Sequence, residues 1–357
     1  MLNELDFSIT LLQSYLTWFL SLSAGGVATY LLFMCFVLFL ICEFHDPKEK
    51  LLPKQLRQSY RANIQLFIFN SVVMCLLSAP SLLIFAEQYS DKGLLNYISN
   101  PVGRAVLSFL AMDLLLYLLH KASHRFDCLW MFHKVHHNDP YLNVSTAFRI
   151  HLLEVLIINA MKAMLVVVLG IEWAVLLANE AIITFFTMLH HTNSSFRGEQ
   201  LLGRMIITPY LHRVHHSTRR NEHDRNYGAV LSVWDRLFGT LAELEPAEIG
   251  VKGSTEQGLV SLVKCGFSMR TGSSDQFADL DIMIAEAAYY KAEKRGFNPG
   301  HELRDWLEAK SEIIRSVYGK KQFGNTLIQK WRGLVGLVNA GLNGRNRKCP
   351  MLRNQVN

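Results

Sequence analysis

Long apolar segments alternate with short polar loops over the first half of the chain. Phe7 to Cys42 is 36 residues without an Asp, Glu, Lys, Arg or His, and Ala62 to Ala86 is a second stretch of this kind. A helix crosses a bilayer with about 20 consecutive apolar residues. The pattern predicts an all-α membrane fold with about five spans, at residues 12–42 with a break near Gly25 and Gly26, 63–86, 102–119, 155–171 and 173–189.

Three of the predicted spans each contain one ionisable residue, and such residues usually face the protein interior or a site. They are Asp113, Lys162 and Glu180. A hairpin that turns near Ile171 places Lys162 and Glu180 at similar depth, since a helix rises about 1.5 Å per residue. We predict that these two side chains form an ion pair. The alternative is that one of them snorkels or faces water.

Basic residues in the loops predict the orientation of the spans, because cytoplasmic loops carry an excess of Lys and Arg. The loop between the first two predicted spans has five such residues, whereas the next loop offers mainly Lys92. The five are Lys48, Lys50, Lys54, Arg57 and Arg61. We therefore predict a multi-pass protein of the bacterial inner membrane whose histidine clusters all face the cytoplasm.

Composition narrows the class further. The chain is 50% hydrophobic with a formal net charge of +6, which a membrane surface explains more simply than nucleic acid does. Glu4 and Asp6 precede the first apolar run, unlike the basic start of a signal peptide, so we expect this segment to remain as a membrane anchor. The six cysteines form no CxxC pair, so neither a disulfide framework nor a zinc knuckle is expected.

The character of the sequence changes after Glu245. We predict N-terminal spans in 1–100, a histidine-rich core in 101–245, a linker in 246–277, a small helical domain in 278–318 and a basic amphipathic tail in 319–357. Two helices are expected at 279–295 and 301–314. Gly296 lies between them and Trp306 lies in the second, and this part of the sequence resembles a small bacterial helical domain of unknown function. The tail predicts either a membrane-surface helix or packing on the protein itself.

Twelve of the fourteen histidines lie between positions 120 and 223, and their spacing repeats. One set has the form HxxxH and two have the form HxxHH. The sets are His120 and His124, then His133, His136 and His137, then His212, His215 and His216. Spacings of three and four put imidazoles on one helical face, where they can converge on a cation. Taken alone, His45, His151 and His301 are interpreted as ordinary hydrogen-bonded histidines.

Eight or nine clustered imidazoles indicate metal, because neutral imidazole binds iron, zinc and copper. They exceed the four ligands of a structural zinc site, so two ions are the natural number. The HExxH motif of zinc proteases is absent from the sequence. Paired irons in a nitrogen-rich shell at a membrane face suit O2 activation and attack on an unactivated C–H bond of a lipid.

Two other classes fit the sequence less well. A membrane metal-binding transporter would place its ligands near the bilayer midplane within paired half-structures. A haem electron-transfer protein would need axial histidines within spans and has no need of repeated HxxHH sets. The predicted topology instead puts the histidines at one edge of the membrane.

The histidine sets and their surroundings resemble the fatty acid hydroxylase and sterol desaturase superfamily of membrane histidine-box di-iron oxygenases. The resemblance covers about residues 60–245 and extends beyond the sets. The further matching positions are Asp113, Tyr117, Asn143, Ser145, Arg149, His151, Glu154, His191-Thr192-Asn193, Asn226-Tyr227-Gly228 and Trp234 to Thr240. It implies a cytoplasmic helical cap that holds the dimetal site above the transmembrane helices.

The resemblance also implies the ligands of two iron ions. They are His120, His124, His133, His136, His137, His212, His215 and His216, with His191 as a ninth. His190 is less favoured, because adjacent helical residues point about 100° apart. Some fatty acid hydroxylases have a spaced histidine pair at this point and this chain does not; His223 is a candidate for the resulting gap.

No catalytic residue separate from the metal site is expected, but two residues are candidates to support it. Asp113 lies seven residues before His120 and is expected to orient a ligand histidine, or alternatively to compensate the charge of Arg149. Asn193 is expected either to position a bound water or to cap a helix. Arg149, His151 and Glu154 are interpreted as supporting or structural residues.

The implied reaction uses O2 as co-substrate and electrons from a separate cytochrome b-type protein or ferredoxin with its reductase. No GxGxxG or haem-attachment motif appears in the sequence, so no built-in donor is expected. Four arginines near the third set either meet an acidic donor or are solvated surface charge: Arg213, Arg219, Arg220 and Arg225. The expected substrate is a fatty acyl chain, another acyl-lipid, a sterol-like lipid or a carotenoid. Hydroxylation is favoured, and desaturation stays open.

Overall fold

The computed structural model of the protein describes residues 22–77, 82–251, 257–267 and 274–316, with side chains of the last segment from residue 283 onward. The chain forms two units, Met1–Arg270 and Thr271–Asn357. Regular structure in these described ranges is helical. Extended pairing there is limited to isolated bridges between Ile206 and Leu231 and between Ser217 and Ile249. The predicted all-α fold class is confirmed.

In the part of the larger unit that the structure describes, seven helices of eight or more residues form the frame: α1 Ala24–His45, α2 Pro53–Leu76, α3 Leu82–Tyr89, α4 Pro101–Arg125, α5 Asp127–His137, α6 Leu152–Leu169 and α7 Trp173–His191. Two 3-10 helices are Leu94–Tyr97 and Val144–Phe148. Shorter helices are α8 Glu199–Leu202, α9 Pro209–His215, α10 Arg220–His223, α11 Val233–Leu237 and α12 Leu259–Cys265.

Local sequence signals set the ends of the long helices. At the start of α4 the Asn100 side chain accepts hydrogen bonds from the backbone N–H groups of Val102 and Gly103, and Pro101 occupies the first turn. α6 ends at Gly170, whose φ of 68° lies in the left-handed region that favours glycine. These caps fix where the chain reverses at the end of the bundle away from the histidines.

Of the helices in the described ranges, four are long and apolar enough to cross a membrane, namely α1, α4, α6 and α7. They expose large apolar side chains such as Phe33, Leu38 and Val168, as surfaces in contact with lipid do. They correspond to the first, third, fourth and fifth predicted spans. Residues 12–21 of the first predicted span lie outside the described residues.

The second predicted span, residues 63–86, falls on two helices rather than one. α2 begins ten residues before the predicted start, and α3 begins at Leu82, with residues 78–81 outside the description. α2 is less apolar than the four spanning helices because it buries polar side chains, among them Asn63 and Asn70. The Asn70 amide donates to the carbonyl of Ile150 at 2.7 Å, so the polar face of α2 is turned inward.

Side-chain and backbone contacts show that the segment from α2 to Gly93 connects the two ends of the bundle. Near the start of α2, the Ser59 hydroxyl donates to the Asp139 carboxylate just after α5, at 2.7 Å. At the other end, a Cβ added to Gly93 would lie 1.9 Å from the backbone nitrogen of Gly170. The two backbones therefore meet directly, which only glycine permits. The start of α2 thus lies at the histidine end of the bundle and Gly93 lies at the opposite end, so the region of the second predicted span leads from one end to the other.

Part of the predicted linker, 246–277, is instead a packed helix of the larger unit. α12 places Leu262 in a buried cluster with Ala62 and Leu66 of α2 and Val135 of α5. Leu259, one turn earlier, packs against the same cluster. Apolar residues at this helical spacing bury one face of α12. The helix was not predicted because the surrounding sequence is rich in Gly and Ser, which favoured a linker.

The smaller unit consists, in its described part, of α13 Ser274–Lys294 and a second helix at 302–316. Both agree with the predicted helices to within a few residues. They pack through Ile284 and Ala309, with Trp306 beside them, and Arg295 Nε donates to Asp305 at 2.9 Å. The predicted amphipathic tail, 319–357, lies outside the described residues.

Candidate metal centre

Four helices bring the predicted histidines to one end of the larger unit. His120 and His124 lie in the last turns of α4, and the first HxxHH set ends α5. His191 is the last residue of α7. The second HxxHH set occupies the short helix α9 and the residue after it. Because each set ends or nearly ends its helix, all the rings can project into the space between the four helix ends.

The rings form two groups, within each of which one nitrogen of every ring lies within 4.8 Å of the others. The five-histidine group contains His120, His124, His133, His137 and His215. The four-histidine group contains His136, His191, His212 and His216. The structure therefore brings together all nine histidines predicted as ligands, and each HxxHH set contributes to both groups.

In the five-histidine group the Nε2 atoms face each other. Those of His124 and His133 lie 3.1 and 3.2 Å from that of His137. The Nε2 atoms of His120 and His215 are buried and have no hydrogen-bond partner within the described part of the chain. A buried nitrogen without a partner is costly, and a metal ion bound at the centre of the group would supply one.

The four-histidine group has the same character. The Nε2 atom of His191 lies 3.1 Å from Nε2 of His136 and 3.0 Å from Nε2 of His212. Nε2 of His212 in turn lies 3.1 Å from Nε2 of His216. Two nitrogens bound at about 2.1 Å to one ion lie roughly 3 Å apart when their bonds are at right angles. The spacing fits imidazoles that share one ion. The Nδ1 of His191 is held by the carbonyl of Thr187 at 2.6 Å.

Two carboxylates lie behind the five-histidine group. The Nδ1 of His133 lies 2.6 Å from Glu154 Oε1, and the Nδ1 of His124 lies 3.2 Å from Asp224 Oδ1. A carboxylate that accepts from Nδ1–H leaves Nε2 as the lone-pair nitrogen and makes it more basic. Both contacts therefore prepare Nε2 to bind a cation.

Backbone carbonyls hold two further rings of this group. The Nδ1 of His120 lies 2.8 Å from the carbonyl oxygen of Tyr227, and the Nδ1 of His215 lies 2.7 Å from that of Arg225. An acceptor fixes the tautomer in which Nδ1 carries the proton and Nε2 is free. This result agrees with the unpartnered Nε2 atoms of His120 and His215.

Burial keeps five histidines at the ends of α5 and α9 neutral. Desolvation, followed by the charge that neighbouring imidazoles would carry, holds the pKa of these groups well below its usual value. The groups are His136, His137, His212, His215 and His216. Neutral imidazole is the form that binds a metal, so these rings are ready to bind one at neutral pH.

Comparison with known families agrees with this site. Residues 105–240 match the family model of the fatty acid hydroxylases, a range that contains both histidine groups. The chain carries a fatty acid hydroxylase domain. Residues 279–314, in the smaller unit, match the model of DUF2934, a family of proteins of unknown function. The predicted resemblances of both regions are therefore confirmed.

Curated relatives of the fatty acid hydroxylase domain act on lipids. The chain is 31% identical to the ornithine lipid hydroxylase OlsE of Rhizobium tropici over 202 residues, which are 55% of this chain and 60% of that protein. It is 32% identical to the alkylglycerol monooxygenase of Homo sapiens over 146 residues, 40% of this chain and 32% of that protein. The matches thus span less than two thirds of these relatives. No solved structure shows significant similarity.

The Asp113 carboxylate does not contact a histidine of the two groups directly, and it does not contact Arg149. Its carboxylate accepts hydrogen bonds from the backbone N–H groups of Val230 and Leu231 at 2.9 and 3.1 Å and from the indole N–H of Trp234 at 2.9 Å. These residues follow Tyr227, whose carbonyl contacts a ring of the five-histidine group. Asp113 therefore fixes the loop that carries this carbonyl.

Asn193 joins the ends of α1 and α7 instead of capping a helix. Its amide donates to the carbonyl of Glu49 at 2.8 Å, and its side-chain oxygen accepts from Arg213 at 3.0 Å. Its backbone N–H donates to the Glu43 carboxylate at 2.6 Å. Arg213 also contacts Glu49 at 2.7 Å and is buried, so it fits neither of the two exposed roles that the sequence suggested, docking of an acidic donor or solvated surface charge.

Arg149 and His151 support the fold around the second histidine set. The fully buried Arg149 guanidinium donates to the carbonyls of Val135 and Asn138 at 2.9 and 3.0 Å. His151 caps α6, since its Nδ1 accepts from the Leu153 N–H at 3.2 Å. Both agree with the structural interpretation, and Glu154, which contacts the ring of His133, agrees with the supporting one.

His190 and His223 lie beside the two groups without joining either. The His190 ring is buried, with its centroid 4.0 Å from that of His212. His223 forms a third cluster with His124 and Asp224, and its Nε2 lies 3.4 Å from Asp224 Oδ1. Asp224 was missed by the sequence analysis, because a carboxylate 100 residues away from His124 has no spacing signal.

Lys162 and Glu180 form the predicted ion pair. Lys162 Nζ lies 2.8 and 2.9 Å from the two carboxylate oxygens of Glu180. The pair joins α6 to α7 and lines a cavity of about 310 Å³. The other end of this cavity is lined by rings of both histidine groups, and aliphatic residues such as Leu119, Ile158 and Ile183 lie along its wall.

Proposed function

We propose that the protein is an O2-dependent, non-haem di-iron hydroxylase of a membrane lipid in lipid biosynthesis. The observation that carries the proposal is the cavity between the spanning helices, because its surface is largely apolar and it reaches both histidine groups. In the proposed reaction one oxygen atom of O2 is inserted into a C–H bond of the lipid to give C–OH. The other oxygen atom is reduced by two electrons and takes up two protons to form one molecule of water. The lipid hydroxylases among the relatives support the same reaction class.

The nine histidines are proposed to hold two iron ions, one in each group. The donor sets fit, because they are made entirely of imidazoles whose Nε2 atoms converge and whose Nδ1 atoms, where partners are described, are bound on the outside. When bound, the irons supply activation of O2. Glu154 and Asp224 stabilise the imidazoles of His133 and His124 in the metal-binding tautomer.

The residues around the cavity are proposed to bind and orient the lipid. Leu119, Ile158 and Ile183 pack against its hydrocarbon chain and exclude water from the histidine end, so that oxidation is directed to the lipid. Which carbon is presented depends on how far the chain penetrates, since position controls reactivity steeply. Hydroxylation is the proposed outcome, and desaturation of a fatty acyl or sterol-like lipid is the alternative within the same class.

The electrons are proposed to come from a separate cytochrome b-type protein or ferredoxin. We further propose that the histidine end faces the cytoplasm of a bacterial inner membrane. Five basic residues in the loop and helix that follow α1 support this orientation. The contact between Ser59 of this helix and Asp139, two residues after His137, places these basic residues at the histidine end of the bundle.

The first experiment is metal analysis and spectroscopy of the detergent-purified full chain grown with ample iron. We expect about two irons per chain. His136→Ala and His215→Ala each remove one member of a different group, and each is expected to lower iron content and abolish lipid oxidation. His45→Ala is the matched control, because His45 is exposed at the end of α1 and belongs to neither group.

Three results would contradict the proposal: haem absorbance, a single structural zinc, or metal that is retained in both variants. If the iron content is as expected, lipid profiling of a deletion strain tests the reaction. Accumulation of a lipid that lacks one hydroxyl group, reversed by the wild-type chain and not by His215→Ala, supports hydroxylation. Accumulation of a saturated precursor supports desaturation.

A further inference from the structure

The ion pair of Lys162 and Glu180 lies at the end of the cavity away from the histidines. Glu180 precedes His191 by eleven residues on α7, and Lys162 follows Glu154 by eight residues on α6. At about 1.5 Å per residue these separations are roughly 16 and 12 Å along the helices. A charged pair therefore faces the cavity deep between two membrane-spanning helices.

Stability does not account for this pair. A charge within a membrane-spanning helix is costly, and replacing a buried ion pair by well-packed apolar residues is often neutral or stabilising. On α6 and α7 the cavity-lining residues within one turn of the pair are Ile158, Ile183 and Thr184, two of which are aliphatic. An apolar pair at positions 162 and 180 would join α6 and α7 equally well, so the charges need another reason to be present.

The pair has hydrogen-bonding capacity that its internal contacts do not use. An ammonium group has three donors, and the described bonds of Lys162 direct it to the two oxygens of Glu180. The carboxylate has further lone pairs, and the Glu180 side chain is 32% exposed, compared with 9% for Lys162. The cavity end can thus both donate to and accept from one small polar group.

We propose that Lys162 and Glu180 bind an uncharged polar group of the lipid substrate, such as a hydroxyl or an amide, that both donates and accepts hydrogen bonds. A group anchored there fixes the carbon that reaches the histidine end, at a distance of roughly 12–16 Å set by the two helices. The substrate class is therefore an amphiphile with a hydrogen-bonding group at that separation from the oxidised carbon, not a plain hydrocarbon. The inference rests on the proposed lipid-oxidising function of the cavity.

The test is a binding assay with tritiated hexadecan-1-ol on the full chain in nonionic detergent, in competition with unlabelled hexadecan-1-ol or hexadecane. The wild-type protein is expected to prefer the alcohol by about tenfold or more, since hydrogen bonds to charged groups are among the stronger ones. Lys162→Met combined with Glu180→Met is expected to reduce this preference to about one, with the melting temperature and iron content unchanged.

The control is a second interhelical ion pair that does not line the cavity. Arg104 Nη1 lies 3.1 Å from Glu172 Oε1, and Arg104→Met combined with Glu172→Gln is expected to keep the preference for the alcohol. An unchanged preference in the Lys162 and Glu180 double variant would overturn the proposal and assign the pair a structural role. If the double variant does not fold, Glu180→Gln alone must reduce the preference severalfold, and no reduction overturns the proposal equally.

This readout is independent of catalysis. Loss of the alcohol preference in the double variant supports the anchor even when no hydroxylated product is found in the lipid profiles. Conversely, two irons and lipid hydroxylation with an unchanged preference retain the proposed function and reject only the anchor. The two proposals therefore fail on different measurements.

Discussion

The five-histidine group and the four-histidine group differ in what lies behind their rings. In the five-histidine group, the carboxylates of Glu154 and Asp224 accept from two imidazoles, and two backbone carbonyls hold two more. In the four-histidine group, the described partner of an outer ring nitrogen is the carbonyl of Thr187. Since a carboxylate makes imidazole more basic, we expect an ion to be held more tightly in the five-histidine group. Two groups built from the same residue type are thus expected to bind an ion with different affinities, because different acceptors lie behind their rings.

The largest effect is expected from removing one ligand of each group. His124→Ala and His212→Ala each delete a ring whose Nε2 contacts neighbouring Nε2 atoms. Each variant should bind about one iron fewer and lose lipid oxidation by more than about 100-fold, beyond the range for supporting residues. Iron content and product analysis measure both effects. Two irons in either variant would remove that group from the metal site.

The carboxylates provide the next test of the comparison. Glu154→Gln keeps the shape of the side chain and removes the charge behind His133, so the iron affinity of the five-histidine group should fall by about 10–100-fold. Chelator titration monitored by absorbance should then release iron from both groups together. In the wild-type protein, the four-histidine group should release its iron first.

The control for this variant is Glu245→Gln, because Glu245 is an exposed carboxylate paired with Lys48 at 2.9 Å. It should leave both release steps in place. Wild-type release in a single step would show that the two groups are energetically alike, and the difference in their outer partners would then have no functional consequence.

A smaller effect, on folding stability instead of metal content, is expected at Asp113. Asp113→Asn leaves three N–H donors of Val230, Leu231 and Trp234 facing a side chain that accepts through one oxygen only. The free energy of unfolding should fall by about 2 kcal/mol, as measured by thermal or denaturant unfolding. Two irons should remain, because Asp113 contacts neither group. Loss of iron at unchanged stability would contradict this interpretation of Asp113.

The smallest effect is expected at His223. This ring lies behind Asp224 at 3.4 Å and is not a member of either group, so His223→Gln should retain two irons and lower the affinity of the five-histidine group by less than tenfold. The same chelator titration measures it. Loss of a full iron would make His223 a ligand and would assign it the position that the sequence left open.

Particular residues show how far the sequence could be interpreted. The HxxxH and HxxHH spacings predicted eight of the histidines that would lie together, because three- and four-residue steps are fixed by helix geometry, and the family resemblance added His191. The pairing of Lys162 with Glu180 followed from the same reasoning, since a hairpin that turns near Ile171 aligns similar distances on two helices. The family resemblance was also correct over the histidine region.

Other residues could not be assigned in this way. Asp113 lies at a helical spacing from His120 that suggested a contact, yet its carboxylate turns to the loop at Val230. Arg213 appeared to be surface charge, yet it is buried against Glu49 and Asn193. Both depend on which loop packs against which helix end, and loop positions leave no periodic signal in the sequence.

The sequence by itself therefore determined the helical membrane class, the histidines that cluster and the ion pair within the spans, because each depends on periodicity along a single helix or hairpin. Only the tertiary structure decided how the nine rings divide into two groups, which carboxylates lie behind them, and that one cavity runs from these rings to Lys162 and Glu180. These features join residues up to about 100 positions apart, and such contacts are set by the packing of whole helices.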